Sequence, residues 1–367
     1  MDGFRSEVAE FLRRSIDDGS ACPAFGAILP PELHGRARAW QRAMSDAGWA
    51  GLHWPVEFGG RGLSRSHTSV WFEECARADV APYLNLQGIV LAGEAILRSG
   101  THSQQLALLE PTLTGETLWC QLFSEPEAGS DLASLRTTAT PDGDGFVVNG
   151  QKVWSSNAQF AQYGILMART DAAAPPHRGI TFFLLDMSTP GVEVRPLTQM
   201  TGEQEFCEVF LTDVHVSAES VLGGRENGWA VAMQVLIDER GSFGAAGAIS
   251  LERELATVVH AAGAAGGVRR DRLAGLASEG HALMALLHRL GEEPAMAPAA
   301  KLLRTELSVR GHGLRADLRG AAAMLDDDAS RALLYAAGMR LAGGTSEVQR
   351  NIIAERGLGL PREPRPS

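Results

Sequence analysis

Hydrophobic period switches twice along this chain, from helical to strand-like near Thr117 and back to helical near Gly228. In the first third, Phe4, Val8, Phe11 and Leu12 fall on one face of a short helix. Pro30 and Pro31 precede a second helical stretch that runs through Ala47 and stops at Gly48. Gly51–Arg65, rich in Gly, Pro and Trp, reads as loop, and helical patterning resumes at His67–Ala78, Asn85–Arg98 and Ser103–Leu113. The middle third differs in kind. Tyr163–Arg169, Gly179–Asp186, Gly191–Pro196 and Phe206–Val216 are short, β-branched or aromatic, and separated by turn formers. Phe146–Val148 and Gln151–Trp154 flank Asn149-Gly150, whose tolerance of positive φ predicts a hairpin with a type I′ turn there. Leu251–Ala262, Arg272–Leu290, Ala297–Leu318 and Ser330–Leu341 then read as Ala/Leu-rich helices, broken at Gly263–Gly267 and Gly291–Pro294. An α, β, α order in thirds argues against a doubly wound sheet, in which strand and helix alternate. The expected class is α+β: an N-terminal helical domain over 1–117, a middle antiparallel β-domain over 118–223 and a C-terminal helical bundle over 224–367.

Length agrees, since 367 residues at roughly 150 per domain suggest two or three domains. With 33 Lys and Arg against 44 Asp and Glu, the net charge of -11 makes the chain a poor nucleic-acid binder, because phosphate recognition needs a basic surface. The cysteines, Cys22, Cys75, Cys120 and Cys207, have no CxxC spacing, which excludes a zinc ribbon or thioredoxin-type pair and suggests a reducing compartment. The N-terminus lacks an apolar signal core, and no apolar run reaches the roughly 18 residues of a membrane span. A soluble, cytoplasmic protein is expected. GxGxxG, Walker A, HExxH and GxSxG are all absent. His281 and His288 share a helical face, but zinc needs three or four convergent ligands, so no metal site is expected.

Three runs carry chemistry. In Gln121-Leu122-Phe123-Ser124-Glu125-Pro126-Glu127-Ala128-Gly129-Ser130-Asp131, Gly129 permits close backbone approach while Ser124 and Ser130 offer hydroxyls to a ligand. Taken alone, an ordinary acidic loop with a helix cap is as good a reading. In Lys152-Val153-Trp154-Ser155-Ser156-Asn157, a strand-borne Trp followed by serines could stack on a planar cofactor and bond it, or could simply be core. In Gly343-Gly344-Thr345-Ser346-Glu347-Val348-Gln349-Arg350, a glycine pair precedes a helix that Thr345 or Ser346 caps.

Together, in this order, the runs resemble the acyl-CoA dehydrogenase family of flavoproteins. SEPEAGSD at 124–131 is similar to that family's first signature and GGTSEVQRNIIAERGLGLPR at 343–362 to its C-terminal one, and MTGEQEFCEVFLTDVHV at Met200–Val216 is similar to family sequences in the β-domain. The resemblance implies the family's three-domain fold and FAD between the β-domain, the bundle and a neighbouring subunit. It implies flavin contacts from Gln121, Phe123, Ser124, Gly129 and Ser130, with Ser130 also near the CoA arm. It places Trp154, Ser155 and Ser156 beside the isoalloxazine ring, and gives Thr345 and Glu347 a part in holding the cofactor.

Family chemistry takes the α-proton of an acyl-CoA thioester and the β-hydride, giving a trans-2-enoyl-CoA. Many members carry the base, a Glu, where this chain has Gly343; others place it just before an Arg on the first bundle helix, which here matches Glu239-Arg240. Glu239 is therefore the expected base, Asp238 the weaker candidate, and a Glu239–Arg240 salt bridge the plainer reading of the pair. The Gly343 backbone N–H is expected to polarise the thioester carbonyl, and Arg240, Gly343 and Gly344 to line the substrate. The family's Arg-x-x-Phe-Gly run is not seen, and Arg270 or Arg272 are the candidates to replace it. Expected partners are an acyl-CoA, an electron-transfer flavoprotein, and further subunits in a homodimer, homotetramer or hetero-oligomer. A flavin monooxygenase on the same fold and a partner subunit sharing a mixed active site are the alternatives.

Overall fold

Trp40, Trp49, Trp54 and Trp71 are all buried, and they organise the N-terminal helices of the computed structural model. Residues 1–25, 29–237, 267–289 and 296–362, with 253, 256, 258 and 259, are described. They belong to two compact units, 1–239 and 240–367. In the first unit, α1 (Asp2–Asp17), α2 (His34–Asp46), α3 (Arg65–Ala78), α4 (Gly93–Ser99) and α5 (His102–Thr114) precede the strands. Trp49 stacks on Trp71 at 5.3 Å, and Phe11 of α1 stacks on Trp40 of α2 at 5.6 Å. The loop expected over Gly51–Arg65 is loop apart from one 3-10 turn at Val56–Phe58. The helix expected over Asn85–Arg98 instead enters through a π turn, Gly88–Ala92, before α4. Glycine is needed at that junction, since a Cβ on Gly93 would lie 2.1 Å from the Trp54 ring.

Eight strands follow: β1 (Trp119–Leu122), β2 (Thr138–Asp142), β3 (Gly145–Ser156), β4 (Tyr163–Arg169), β5 (Ile180–Asp186), β6 (Val192–Pro196), β7 (Phe206–Ser217) and β8 (Val221–Leu222). They form one sheet in the order β6-β7-β3-β2-β4-β5-β8, with β1 beside β4. The sheet is antiparallel except where β1, and β2 at Thr138, meet β4. One face buries Leu122, Val148, Leu166, Phe183, Leu185 and Val209 together.

The hairpin expected at Asn149-Gly150 is not there. β3 runs unbroken through those residues, and the chain reverses at Asp142–Gly145, between β2 and β3, with Gly143 at φ 58°. Asn149-Gly150 instead marks a register shift against β7. The Asn149 side chain there bonds Asp213, accepting from its backbone N–H at 2.9 Å and donating to its carboxylate at 3.1 Å. The same liking for unusual backbone that makes Asn-Gly a turn former also suits it to a bulge.

In the second unit, α6 (Val268–Arg289), α7 (Ala297–Arg319), α8 (Asp328–Met339) and the short α9 (Ser346–Ile352) are helical, with Leu276, Leu283, Leu307 and Leu314 in the core. Asp327 caps α8 by accepting from the Ser330 N–H. No described helix is long and apolar enough to cross a membrane.

Candidate active site

Two of the three sequence runs meet in the β-domain. β1 ends at Leu122, and the chain turns back on itself between Glu125 and Ala128, each backbone N–H donating to the other's carbonyl at 3.1 Å. That leaves Gly129, Ser130 and Asp131 exposed. The Val153 N–H of β3 donates to Ser124 O at 3.0 Å, so the loop is tied to the strand just before Trp154.

β3 is irregular there. Its register against β7 shifts between Lys152 and Ser155, and Trp154 adopts φ 62°, an unusual value for a bulky residue. The indole turns outward as a result, 60% exposed and edge-on to Phe206 at 5.9 Å, while Ser155 turns inward and is fully buried. Among the described residues the Ser155 hydroxyl has no hydrogen-bond partner. Ser156 reaches Glu205 at 3.5 Å, and Asn157, at φ 57°, reverses the chain. Asn157 also borders a small open cleft with Leu29, His34, Arg38, Leu84 and Phe160.

Gln121 is half-buried on β1, and the Phe123 ring is buried edge-on against Phe182, so Phe123 can face a ligand only with its backbone. Behind the loop lies a pair to which the sequence reading gave no role. Lys152 is 0% exposed, and its ammonium donates to Glu125 at 2.8 Å and to Phe123 O at 3.1 Å. Glu125 also accepts from the backbone N–H groups of Thr137 at 2.9 Å and Arg136 at 2.6 Å. Burial pulls the Lys152 ammonium down to about 8, with the Glu125 charge and hydrogen bond acting against it. Burial alone would raise Glu125, but the Lys152 charge and the donated hydrogen bonds outweigh it and hold that carboxyl below its ordinary value. Little in the sequence marks the pair, since Lys152 stands beside polar Gln151 in β3.

The third run lies in the second unit. Thr345, not Ser346, caps α9, accepting from Val348 N–H at 3.2 Å, and Ser346 is buried with its hydroxyl on Glu306 at 2.7 Å. Gly343 and Gly344 both take positive φ, 63° and 94°. Lys301 of α7 donates to Gly344 O at 2.7 Å and to Arg340 O at 3.1 Å, and Gln349 donates to Gly343 O at 3.0 Å. Glu347 is exposed, 3.8 Å from Arg350, and its own backbone N–H and the Thr345 hydroxyl lower its pKa. Arg270 is exposed, and Arg272 donates to Asp317 of α7 at 2.7 Å. Asp238, Glu239 and Arg240 lie outside the described residues. So does the side chain of His288, while His281 is exposed with Nδ1 2.7 Å from Ala277 O. No cluster of three metal-ligating side chains occurs among the described residues, and the four cysteines are free and buried.

The residues present fit a flavin. A planar ring system needs an exposed flat surface beside hydrogen-bonding groups, and the exposed Trp154 indole with the half-buried Ser156 two residues on provides both. A bulky ligand needs room at the loop, and even a Cβ on Gly129 would meet nothing within 4 Å.

Comparison with known proteins agrees along the whole chain. It matches the acyl-CoA dehydrogenase N-terminal domain over residues 2–116, the middle domain over 120–214 and the C-terminal domain over 226–358. It is 40% identical to acyl-CoA dehydrogenase IpdE1 of Mycobacterium tuberculosis, over 99% of this chain and 98% of that protein. Among solved structures, the Tcur3481–Tcur3483 steroid ACAD superposes with a TM-score of 0.83 at 27% identity, covering 99% of this chain and 98% of that one. The ChsE4–ChsE5 complex from Mycobacterium tuberculosis does so with a TM-score of 0.81 at 29% identity and the same coverage.

Proposed function

This chain belongs to the acyl-CoA dehydrogenase family and is an FAD-dependent oxidoreductase, and from that premise we propose that its reaction converts an acyl-CoA thioester to the trans-2-enoyl-CoA. The reaction removes a proton from the α-carbon and a hydrogen with its electron pair from the β-carbon, leaving a double bond between them. Bound FAD supplies the acceptor for that electron pair. Glu239 takes the α-proton; a carboxylate can do so when burial raises its pKa and the thioester acidifies the carbon acid. The backbone N–H of Gly343 stabilises charge developing on the thioester oxygen, a role the peptide group retains although the position has no side chain. Gln349 and Lys301, which donate to the carbonyls of Gly343 and Gly344, hold the backbone that follows that N–H. Ser130 meets the CoA arm, and Trp154 and Ser156, with the backbone of Ser155, bind and orient the flavin ring.

The observation that carries this reading is the Trp154 indole, held 60% exposed at positive φ on β3. An exposed flat ring at strained backbone serves a planar ligand and not the core. The electrons pass on to an electron-transfer flavoprotein. A second subunit also belongs to the proposal. Arg272, one of the two arginines available to reach a neighbouring subunit's cofactor, is already paired with Asp317 of its own chain, and both solved relatives named above are two-protein assemblies. A hetero-oligomer with a related subunit is therefore favoured over a homotetramer. Because one of those relatives is named for steroids, ring-bearing acyl groups come first among substrates.

The test is anaerobic mixing of flavin-loaded protein with linear, branched and ring-bearing acyl-CoAs. Loss of the yellow colour with formation of the enoyl-CoA supports the dehydrogenase. Oxygen consumption by the protein supplied with reduced flavin, without bleaching by any thioester, supports a monooxygenase instead. Protein that takes up flavin only when mixed with a related subunit supports a shared site.

A further inference from the structure

We propose that the buried Lys152–Glu125 ion pair is the positioning device for the flavin-facing surface of the β-domain. The inference rests on the FAD reading above. Three separate segments converge on this pair: the loop after β1 through Phe123 O and Glu125, the entry to β2 through the backbone of Arg136 and Thr137, and β3 through Lys152 itself. With both ends clasped, Ser124 is held where its carbonyl accepts from Val153. Trp154, the next residue, lies within the strand irregularity between Lys152 and Ser155. Lys152 cannot touch substrate or flavin, because it is fully buried and committed to the loop. Its role is exerted through Ser124 and Trp154.

Stability alone explains the pair poorly. Taking an ammonium and a carboxylate out of water offsets most of their attraction, and apolar side chains of similar volume are often as stable. What apolar residues do not supply is direction. They would not fix Phe123 O, the Arg136 and Thr137 amides and β3 in one arrangement, which is what a binding surface for a rigid ring requires.

The pair variant Lys152→Met/Glu125→Gln separates the two roles, because it leaves no buried charge behind. Apoprotein is titrated with FAD, and Tm is measured on the same preparation. The proposal expects a Tm close to wild type with the FAD dissociation constant raised at least about tenfold, as a displaced binding loop would do. An FAD dissociation constant within about twofold of wild type in the folded variant overturns the proposal. Should the pair variant not fold, Glu125→Asp decides: it keeps a carboxylate opposite the Lys152 ammonium but, one methylene shorter, cannot hold Lys152 and the Arg136 and Thr137 N–H groups together. Weakened FAD binding at an unchanged Tm supports positioning, and unchanged binding overturns it. Wild-type protein that binds no FAD overturns the flavin reading and this inference together, whereas a tight-binding wild type with an equally tight-binding variant overturns the inference alone.

Discussion

At the scale of single residues, the Lys152–Glu125 pair leaves a pH signature with two limbs. Lys152 is depressed from 10.5 to about 8, so its folded state resists the charged form; that cost is present in full below about pH 8 and is relieved as pH rises toward 10.5. Glu125 is lowered below 4.5, so its contribution is present above that value and is lost as pH falls through its folded pKa. Urea unfolding of wild type and of Lys152→Met/Glu125→Gln at matched pH is expected to show wild type gaining relative stability between pH 8 and 10.5 and losing it below 4.5. Parallel curves across both windows would remove the pair from the account. Gly129→Val is expected to fold normally, since a Cβ there meets nothing within 4 Å, yet to retain little FAD. Full visible flavin absorbance in that variant would mean that the 124–131 loop does not face the cofactor. Glu239→Gln should bind flavin and acyl-CoA but slow anaerobic flavin reduction by at least about 10²-fold, the low end for a positioned general base. A stopped-flow rate near wild type would shift attention to Asp238.

At the scale of elements, β4 through β7 were legible in advance, because each is a short β-branched or aromatic run between turn formers. β2 was not. It lies in Thr138–Asp142, a polar edge-like segment with a proline, and its pairing with β3 is fixed by the Asp-Gly-Asp-Gly reversal at 142–145, whereas the sequence reading relied on Asn149-Gly150. A dipeptide that favours positive φ fits a tight turn and a bulge equally, and only the partner strand β7 decides between them. Gly150 tests this placement. A Cβ there would sit 2.4 Å from the Thr137 hydroxyl and 2.7 Å from the Thr137 backbone, so Gly150→Ala should cost about 1–3 kcal/mol by chemical denaturation, the range for overpacking. Gly129→Ala, in open space, should change stability by less than about 0.5 kcal/mol. Equal effects at the two glycines would mean that β3 does not pass Thr137 this closely.

At the scale of the whole molecule, the α, β, α order was readable because hydrophobic period is a property of long stretches and survives errors at single turns. Site residues were readable in a different way. Ser124, Gly129, Trp154 and Thr345 stand in runs that carry the family resemblance, but whether each faces ligand or core depended on backbone the sequence does not announce. Trp154 is outside only because its φ is positive, and Phe123, one loop residue earlier than Ser124, is inside. The Lys152–Glu125 clasp depends on contacts 27 residues apart and had no local signal strong enough to name it. The reaction itself is a claim about the assembled protein, and one measurement reaches it directly. Purified, flavin-loaded protein, with its related subunit where one is required, is titrated anaerobically with the panel of acyl-CoA thioesters while the flavin spectrum and the thioester products are followed. At least one thioester is expected to bleach the flavin with formation of an equal amount of trans-2-enoyl-CoA. A flavin that stays fully oxidised with every member of the panel would contradict the proposed reaction.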